Sequence, residues 1–101
     1  MKECCNAFLM EQFGDQDVVK EIYEEYAKSI KEKIPEAEAA LAAEEWVTLD
    51  HVAHAIKGNA LATGDNDVAN VAIAIRMASN LKDKNDAQSL LDKLKGLAQE
   101  I

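Results

Sequence analysis

Apolar residues recur every three to four positions along most of the chain, and no segment shows the strict alternation that is typical of a strand. We therefore predict an all-α fold. The pattern predicts a short helix over about 3–13, a long one from about residue 15 past Leu41, one from about Trp46 to Gly64, one over about 65–81, and a last one after a polar turn at 82–85.

Several residues mark where these helices begin and end. Gly14 is expected to stop the first helix, and Asp15 or Asp17 is expected to cap the second. Pro35 lies inside the second helix. Because proline lacks a backbone donor, it predicts a kink or a local break near residues 33–34.

The later connections are short and polar. Glu44-Glu45-Trp46 is expected to form the corner into the third helix, with Trp46 as its anchor. Asp83 or Asp86 is expected to cap the last helix. The leucines of that helix have a heptad-like spacing, which suits packing against an antiparallel partner.

Composition excludes several classes of function. The chain has 11 basic and 19 acidic residues and a net charge of -8, which argues against binding to nucleic acid or to an anionic membrane surface. Its longest apolar stretch, around 68–75, is far shorter than the roughly 20 residues that a membrane span needs. We expect residues 1–101 to form one domain, monomeric, with neither a nucleic-acid nor a membrane partner.

The beginning of the chain lacks the apolar core of a signal peptide, so we expect a cytoplasmic protein. The start at Met1 without a linker favours a free-standing protein. Cys4 and Cys5 are adjacent, which gives neither C-x-x-C spacing nor an easy mutual disulfide. We expect two unpaired thiols without a role.

His54 is the main candidate for chemistry, because a helical wheel turns it away from the core. Leu49, Ala53 and Ile56 belong to a narrow apolar stripe. At 100° per residue, His54 lies about 140° from the centre of that stripe. An exposed, neutral imidazole is a nucleophile that can accept a phosphoryl group.

Lys57, Gly58 and Leu61 are predicted to share this exposed surface with His54. A glycine inside a helix costs about 1 kcal/mol relative to alanine. Since no core packing requires Gly58, we expect a partner's backbone to approach there. Lys57 can supply positive charge to a phosphoryl group. The alternatives are a tolerated helix glycine and an ordinary surface lysine.

The run from Val52 to Ala60 (VAHAIKGNA), followed by Gly64, resembles the signature of histidine-containing phosphotransfer (HPt) domains. In that signature an apolar residue and an alanine precede the histidine, and two residues, Lys-Gly, small residues and a further glycine follow it. The order of helices, the proline in the second one and the acidic-Trp corner are also similar to the family. The resemblance covers about residues 8–100.

This resemblance implies an antiparallel up-down four-helix bundle with a short extra N-terminal helix. His54 would accept a phosphoryl group from an aspartate of a receiver domain, in a response regulator or a hybrid histidine kinase, and pass it to another receiver. Lys57 would steady the phosphoryl oxygens, Gly58 would leave room for the receiver, and Gly64 would permit the turn to the next helix. The family has no ATP site, so no kinase activity of its own, no cofactor and no metal are expected; the receiver would bring magnesium.

The chain departs from the family's pattern at two positions. Many members have Gly-Ala where this chain has Gly64-Asp65, and a glutamate on the next helix where this chain has Arg76. Asp65 is expected to cap the fourth helix. Arg76 changes the local charge, which bears on the choice of partner.

Two other functions are alternatives to phosphotransfer. A di-iron bundle needs Glu-x-x-His pairs, but Thr48 stands three residues before His51, and His51 stands three before His54. His51 and His54 could share a metal ion at the surface, but the sequence shows no pattern of carboxylates that would complete such a site. The other function is that of an HPt-like module that binds a receiver or kinase without phosphotransfer, although the chain keeps both His54 and Lys57.

We also expect a docking surface for the receiver. A receiver's active site is acidic, so the partner should avoid the acidic second helix and use the less charged neighbourhood of His54 and Leu61. Part of the first helix, Phe8, Leu9 or Phe13, is expected to lie nearby.

Overall fold

The computed structural model describes residues 1–101, and the chain is entirely helical with no strand. This confirms the predicted all-α class. The five helices are α1 (Glu3–Phe13), α2 (Gln16–Ala42), α3 (Trp46–Thr63), α4 (Asn66–Leu81) and α5 (Lys84–Ala98).

All five helices contribute side chains to one core. Helix α3 packs against α2 and α4, and α5 packs against α4 and α2, while α1 contacts α2 and α3. The core contains almost only alanine and branched aliphatic side chains, with two tyrosines from α2. The long axis of the molecule is 42 Å, which is close to the length of about 40 Å expected for α2 at 1.5 Å per residue. The predicted up-down order of neighbouring helices stays a prediction.

The predicted helix ends are confirmed at most positions. Gly14 and Gly64 follow α1 and α3 with φ values of 65° and 79°, a left-handed conformation that glycine adopts without steric cost. Asp15 caps α2 by accepting hydrogen bonds from two backbone N–H groups. Trp46 starts α3 and packs partly buried against the core.

Two expectations about connections need correction. Helix α2 is continuous through Pro35, so the predicted break near 33–34 does not occur. Pro35 lies on the exposed side of α2, where water can replace the missing backbone hydrogen bond. The polar turn at 82–85 is also shorter than predicted, because Asp83 accepts a hydrogen bond from the backbone N–H of Asp86 and α5 begins at Lys84.

Both cysteines are free thiols, with Cys4 exposed and Cys5 buried. Burial, and then the proximity of the Cys4 thiol, raise the pKa of Cys5 to about 12. None of the helices is long and apolar enough to span a bilayer.

Candidate functional site

The candidate site is built on the outer surface of α3 beside α4, the pair of helices with the most extensive contact in the molecule. Helix α3 buries Leu49, Ala53, Ile56 and Ala60 against the core. His54 is exposed on the other side, as the helical wheel predicts. The same apolar stripe that fixes α3 in the fold therefore fixes the direction of the His54 ring.

Arg76 of α4 reaches across to His54. Its Nη1 lies 3.0 Å from His54 Nδ1, and its Nε lies 3.0 Å from Asp50 Oδ1. Because a guanidinium carries only donors, His54 Nδ1 must be the acceptor in this hydrogen bond. The other ring nitrogen, Nε2, makes no hydrogen bond within the protein, so it is the nitrogen left open to a partner.

Asp50 holds the far side of the Arg76 guanidinium. The side chains of Arg76 and Asp50 are 32% and 22% exposed, so this ion pair is partly shielded from water. Asp50 stands one helical turn before His54 on α3. From the sequence, Arg76 is only a change of charge relative to the family; neither its contact with His54 nor the role of Asp50 is predicted.

Lys57 and Gly58 follow His54 by one helical turn on α3. Lys57 is half-buried and forms no ion pair, so its charge is not neutralised by a carboxylate of the chain. A Cβ placed on Gly58 would meet nothing within 4 Å. The fold itself therefore does not require a glycine at this position, as the sequence predicts.

Exposed apolar side chains surround this polar group. Leu61, predicted to lie on this surface, is 49% exposed. On α4, Ile73 and Met77 are exposed next to Arg76, and Val47 is exposed two turns before His54 on α3. The sequence does not predict the exposure of Ile73 and Met77, because the nearly continuous apolar pattern of α4 predicts burial on almost every side, and it does not single out Val47 on α3.

The three residues of α1 that were expected near the docking surface differ in their exposure. Leu9 is 0% exposed and belongs to the core, so its side chain offers no surface to a partner. Phe8 packs against Gly64, where a Cβ would lie 2.5 Å from the Phe8 Cβ. Phe13 at the end of α1 is exposed. Gly64 therefore serves close packing of α1 as well as the turn after α3.

Asp65 anchors the end of α3 from inside the protein. It caps α4 as predicted, accepting from the backbone N–H of Val68. It also accepts hydrogen bonds from Lys2 Nζ at 2.7 Å and from the Tyr26 hydroxyl at 2.8 Å. Burial, and then the hydrogen bond to Asp65, raise the pKa of Tyr26. Burial opposes the charge on Lys2, but the hydrogen bond and negative charge of Asp65 outweigh it and raise the pKa of Lys2.

The site is a surface rather than a cavity. The concavity of about 420 Å³ between α4 and α5 is lined by residues such as Val71, Leu90 and Leu97 and does not include His54. No concavity of the molecule is lined by His54, Lys57 or Leu61. No three side chains of the histidine, cysteine, aspartate or glutamate type cluster as metal ligands do. Such a flat site suits a macromolecular partner better than a small molecule.

Neither a curated protein nor a solved structure shows significant similarity to the chain. A family model described as the Hpt domain matches residues 21–101, a range that includes α3, α4, α5 and most of α2 but not α1. The chain therefore belongs to the histidine-containing phosphotransfer (HPt) domain family, whose members take part in phosphorelays.

Proposed function

We propose that this protein is a phosphorelay intermediate in which His54 accepts a phosphoryl group from the aspartyl phosphate of one receiver domain and passes it to another. The observation that carries the proposal is the exposed His54 ring, with Nδ1 engaged by Arg76 and Nε2 free. Membership of the HPt family gives the class of reaction and of partner.

The reaction needs little from this chain beyond position and charge. The bond from phosphorus to His54 Nε2 forms while the phosphorus–oxygen bond of the aspartyl phosphate breaks. Because the contact with Arg76 leaves the ring proton on Nε2, this contact must first open so that Nδ1 takes a proton from water and Nε2 gives its proton up, which frees the Nε2 lone pair for the attack. The receiver's carboxylate then leaves with the electron pair of the phosphorus–oxygen bond, and the Nδ1 proton passes to solvent. Such a transfer is loose and in-line and depends on positioning and electrostatic stabilisation. Magnesium bound in the receiver would supply positive charge to the phosphoryl group.

Lys57 and Gly58 support the transfer in different ways. Lys57 carries a charge that no carboxylate of the chain neutralises, and it stands one turn after His54, where it can steady the phosphoryl oxygens. Gly58 leaves open space beside the ring, where the loops around the receiver's aspartate can approach the α3 backbone.

The receiver docks on the exposed apolar side chains around His54, including Leu61, Ile73 and Met77. We expect Leu61→Asp to weaken receiver binding by about ten-fold, because it places a charge in the interface opposite an acidic active site. Ser89→Asp is the matched control, since it adds the same charge on α5, which does not contact α3. Equal affinities for wild type and Leu61→Asp, measured by calorimetry, would remove Leu61 from the docking surface.

The remaining parts of the proposal concern the protein as a whole. Residues 1–101 act as one monomeric domain in the cytoplasm. The chain uses no metal or cofactor of its own, and its partners are receiver domains of response regulators or of a hybrid histidine kinase.

Phosphoryl uptake measured by intact mass tests the proposal. Wild type is treated with phosphoramidate, a small donor that phosphorylates histidine, and is then mixed with candidate receiver domains and magnesium. We expect one phosphoryl group on wild type and on His51→Gln, none on His54→Gln, and discharge by a receiver. No uptake by wild type, or equal uptake by His54→Gln, would contradict the proposal and favour a binding module without phosphotransfer.

A further inference from the structure

The hydrogen bond between Arg76 and His54 has only one possible polarity. A guanidinium donates and cannot accept, so the Nδ1 atom of His54 must offer its lone pair. When the ring is neutral, its single proton then lies on Nε2. Arg76 therefore selects one of the two tautomers of a histidine that is otherwise free to adopt either.

The same polarity fits the phosphorylated ring. Once phosphorus is bonded to Nε2, a neutral ring has its only remaining lone pair on Nδ1, which is the atom that Arg76 faces. Arg76 can therefore form the same hydrogen bond again once His54 is phosphorylated, whereas a carboxylate in its place would need a proton on Nδ1.

Protonation of Nδ1 decides how easily the phosphoryl group is lost to water. When Nδ1 carries a proton, attack of water on phosphorus releases a neutral imidazole, which is a good leaving group. When Nδ1 is unprotonated, the electron pair of the broken phosphorus–nitrogen bond falls on an imidazolate, which must take a proton from water. The unprotonated ring is therefore the more durable form of phosphohistidine.

We propose that Arg76 is a positioning residue that lengthens the lifetime of phosphorylated His54 by holding Nδ1 as a hydrogen-bond acceptor. The proposal rests on the phosphotransfer function and adds that Arg76 slows the hydrolysis of phosphorylated His54. Asp50 supports this role of Arg76, because its carboxylate accepts a hydrogen bond from Arg76 Nε and so keeps Nη1 directed at the ring. The other charged or titratable groups near His54 on α3 are His51 and Lys57, and neither hydrogen-bonds to the ring.

The first measurement needs no phosphorylation. Long-range proton–nitrogen NMR spectra of the unmodified protein report which ring nitrogen of His54 carries the proton. We expect the Nε2-protonated tautomer in wild type and in Arg76→Lys, since an ammonium also donates. We expect the Nδ1 proton to become populated in Arg76→Glu, whose carboxylate can accept it. Circular dichroism checks that each variant keeps its helices.

The second measurement is the lifetime of the phosphorylated protein in buffer without a receiver. Arg76→Glu is expected to shorten it by about ten-fold, and Asp50→Asn by about three-fold, since each weakens a charge-assisted hydrogen bond. Arg76→Lys is expected to stay close to wild type. Lys93→Glu on α5 is the control, because it makes the same change of charge on a helix that does not contact α3.

Two results would overturn this proposal. One is an Nδ1-protonated His54 in wild type, which would mean that Arg76 does not engage the ring in solution. The other is an unchanged lifetime for Arg76→Glu when its tautomer has shifted. A wild type that takes up no phosphoryl group but shows the Nε2-protonated tautomer would overturn the function and the protective role together, while leaving the contact between Arg76 and His54 established.

Discussion

Lys2 and Asp65 form a 2.7 Å ion pair that joins the start of α1 to the N-terminus of α4, although the two residues are 63 positions apart in the chain. Asp65 is 0% exposed, and the side chain of Lys2 is 11% exposed. The pair fastens α1, which lies outside the residues matched by the family model, to the end of the helix that carries His54.

Loss of this ion pair is expected to destabilise the protein strongly. Asp65→Asn should lower the free energy of unfolding by about 3 kcal/mol, because it leaves the partly buried Lys2 ammonium and the buried Tyr26 hydroxyl without the carboxylate that binds both. The exposed pair of Lys95 and Glu38, at 3.4 Å, is the control. Lys95→Gln should change stability by less than about 0.5 kcal/mol. Urea unfolding followed by circular dichroism measures both, and equal losses would show that burial does not set the strength of the pair at Asp65.

Stability is expected to fall in alkaline solution. The folded state raises the pKa of Cys5 from 9.0 to about 12, and it also raises the pKa values of Tyr26 and Lys2. These groups hold their protons more tightly when folded, so their stabilisation is complete below about pH 9 and is lost as the pH rises through the folded pKa values. The free energy of unfolding should therefore be level near pH 8 and decline from about pH 9.

Cys5→Ala tests whether the Cys5 thiol causes the start of this fall in the free energy of unfolding. Without the thiol, the fall in stability should begin nearer the unperturbed tyrosine pKa of 10.0. Cys4→Ala is the matched control, since Cys4 is exposed and its loss leaves the Cys5 thiol in place. An identical pH profile for wild type and Cys5→Ala would assign the whole decline to other groups.

Gly64→Ala is expected to be destabilising by about 3 kcal/mol, because it combines a left-handed backbone with overpacking. The backbone φ at Gly64 is 79°, and the new Cβ would lie 2.5 Å from the Phe8 Cβ. Adding Phe8→Ala should relieve the steric part and leave the backbone part. If Gly64→Ala lowered the free energy of unfolding by the same amount in wild type and in Phe8→Ala, the contact with Phe8 would not contribute to the loss of stability.

Gly58→Ala is expected to separate stability from function. No atom lies within 4 Å of the new Cβ, so the variant should gain about 0.5 to 1 kcal/mol of stability from helix propensity. The same methyl group would meet the receiver, so the rate of phosphoryl transfer should fall about ten-fold. Gly96→Ala on α5, also without a neighbour within 4 Å, should gain the same stability and transfer at the wild-type rate. Unchanged transfer by Gly58→Ala would exclude a close approach at this position.

The helices and the faces on which their side chains lie could be predicted from the sequence. The period of apolar residues and the capping residues Gly14, Asp15 and Gly64 placed most helix ends correctly, and the helical wheel placed His54 and Leu61 on the exposed side of α3. These properties are local: a helix end depends on the backbone preference of one residue and the hydrogen bonds of the next few, and a helix face depends on a fixed rotation per residue. The motif around His54 could be recognised in the sequence because the run from Val52 to Ala60 lies within one helix.

Contacts between residues of different helices could not be predicted from the sequence and are seen in the folded protein. Arg76 and His54 are 22 positions apart, and their contact depends on how α4 is rotated and shifted against α3. The pairing of Lys2 with Asp65 and the packing of Phe8 on Gly64 likewise depend on where α1 lies on the bundle. The period of a single helix carries no information about rotation and shift between helices, which are set by the packing of side chains from both partners. For this reason the sequence predicted only that Arg76 changes the local charge, and the fold was needed to show that Arg76 contacts His54.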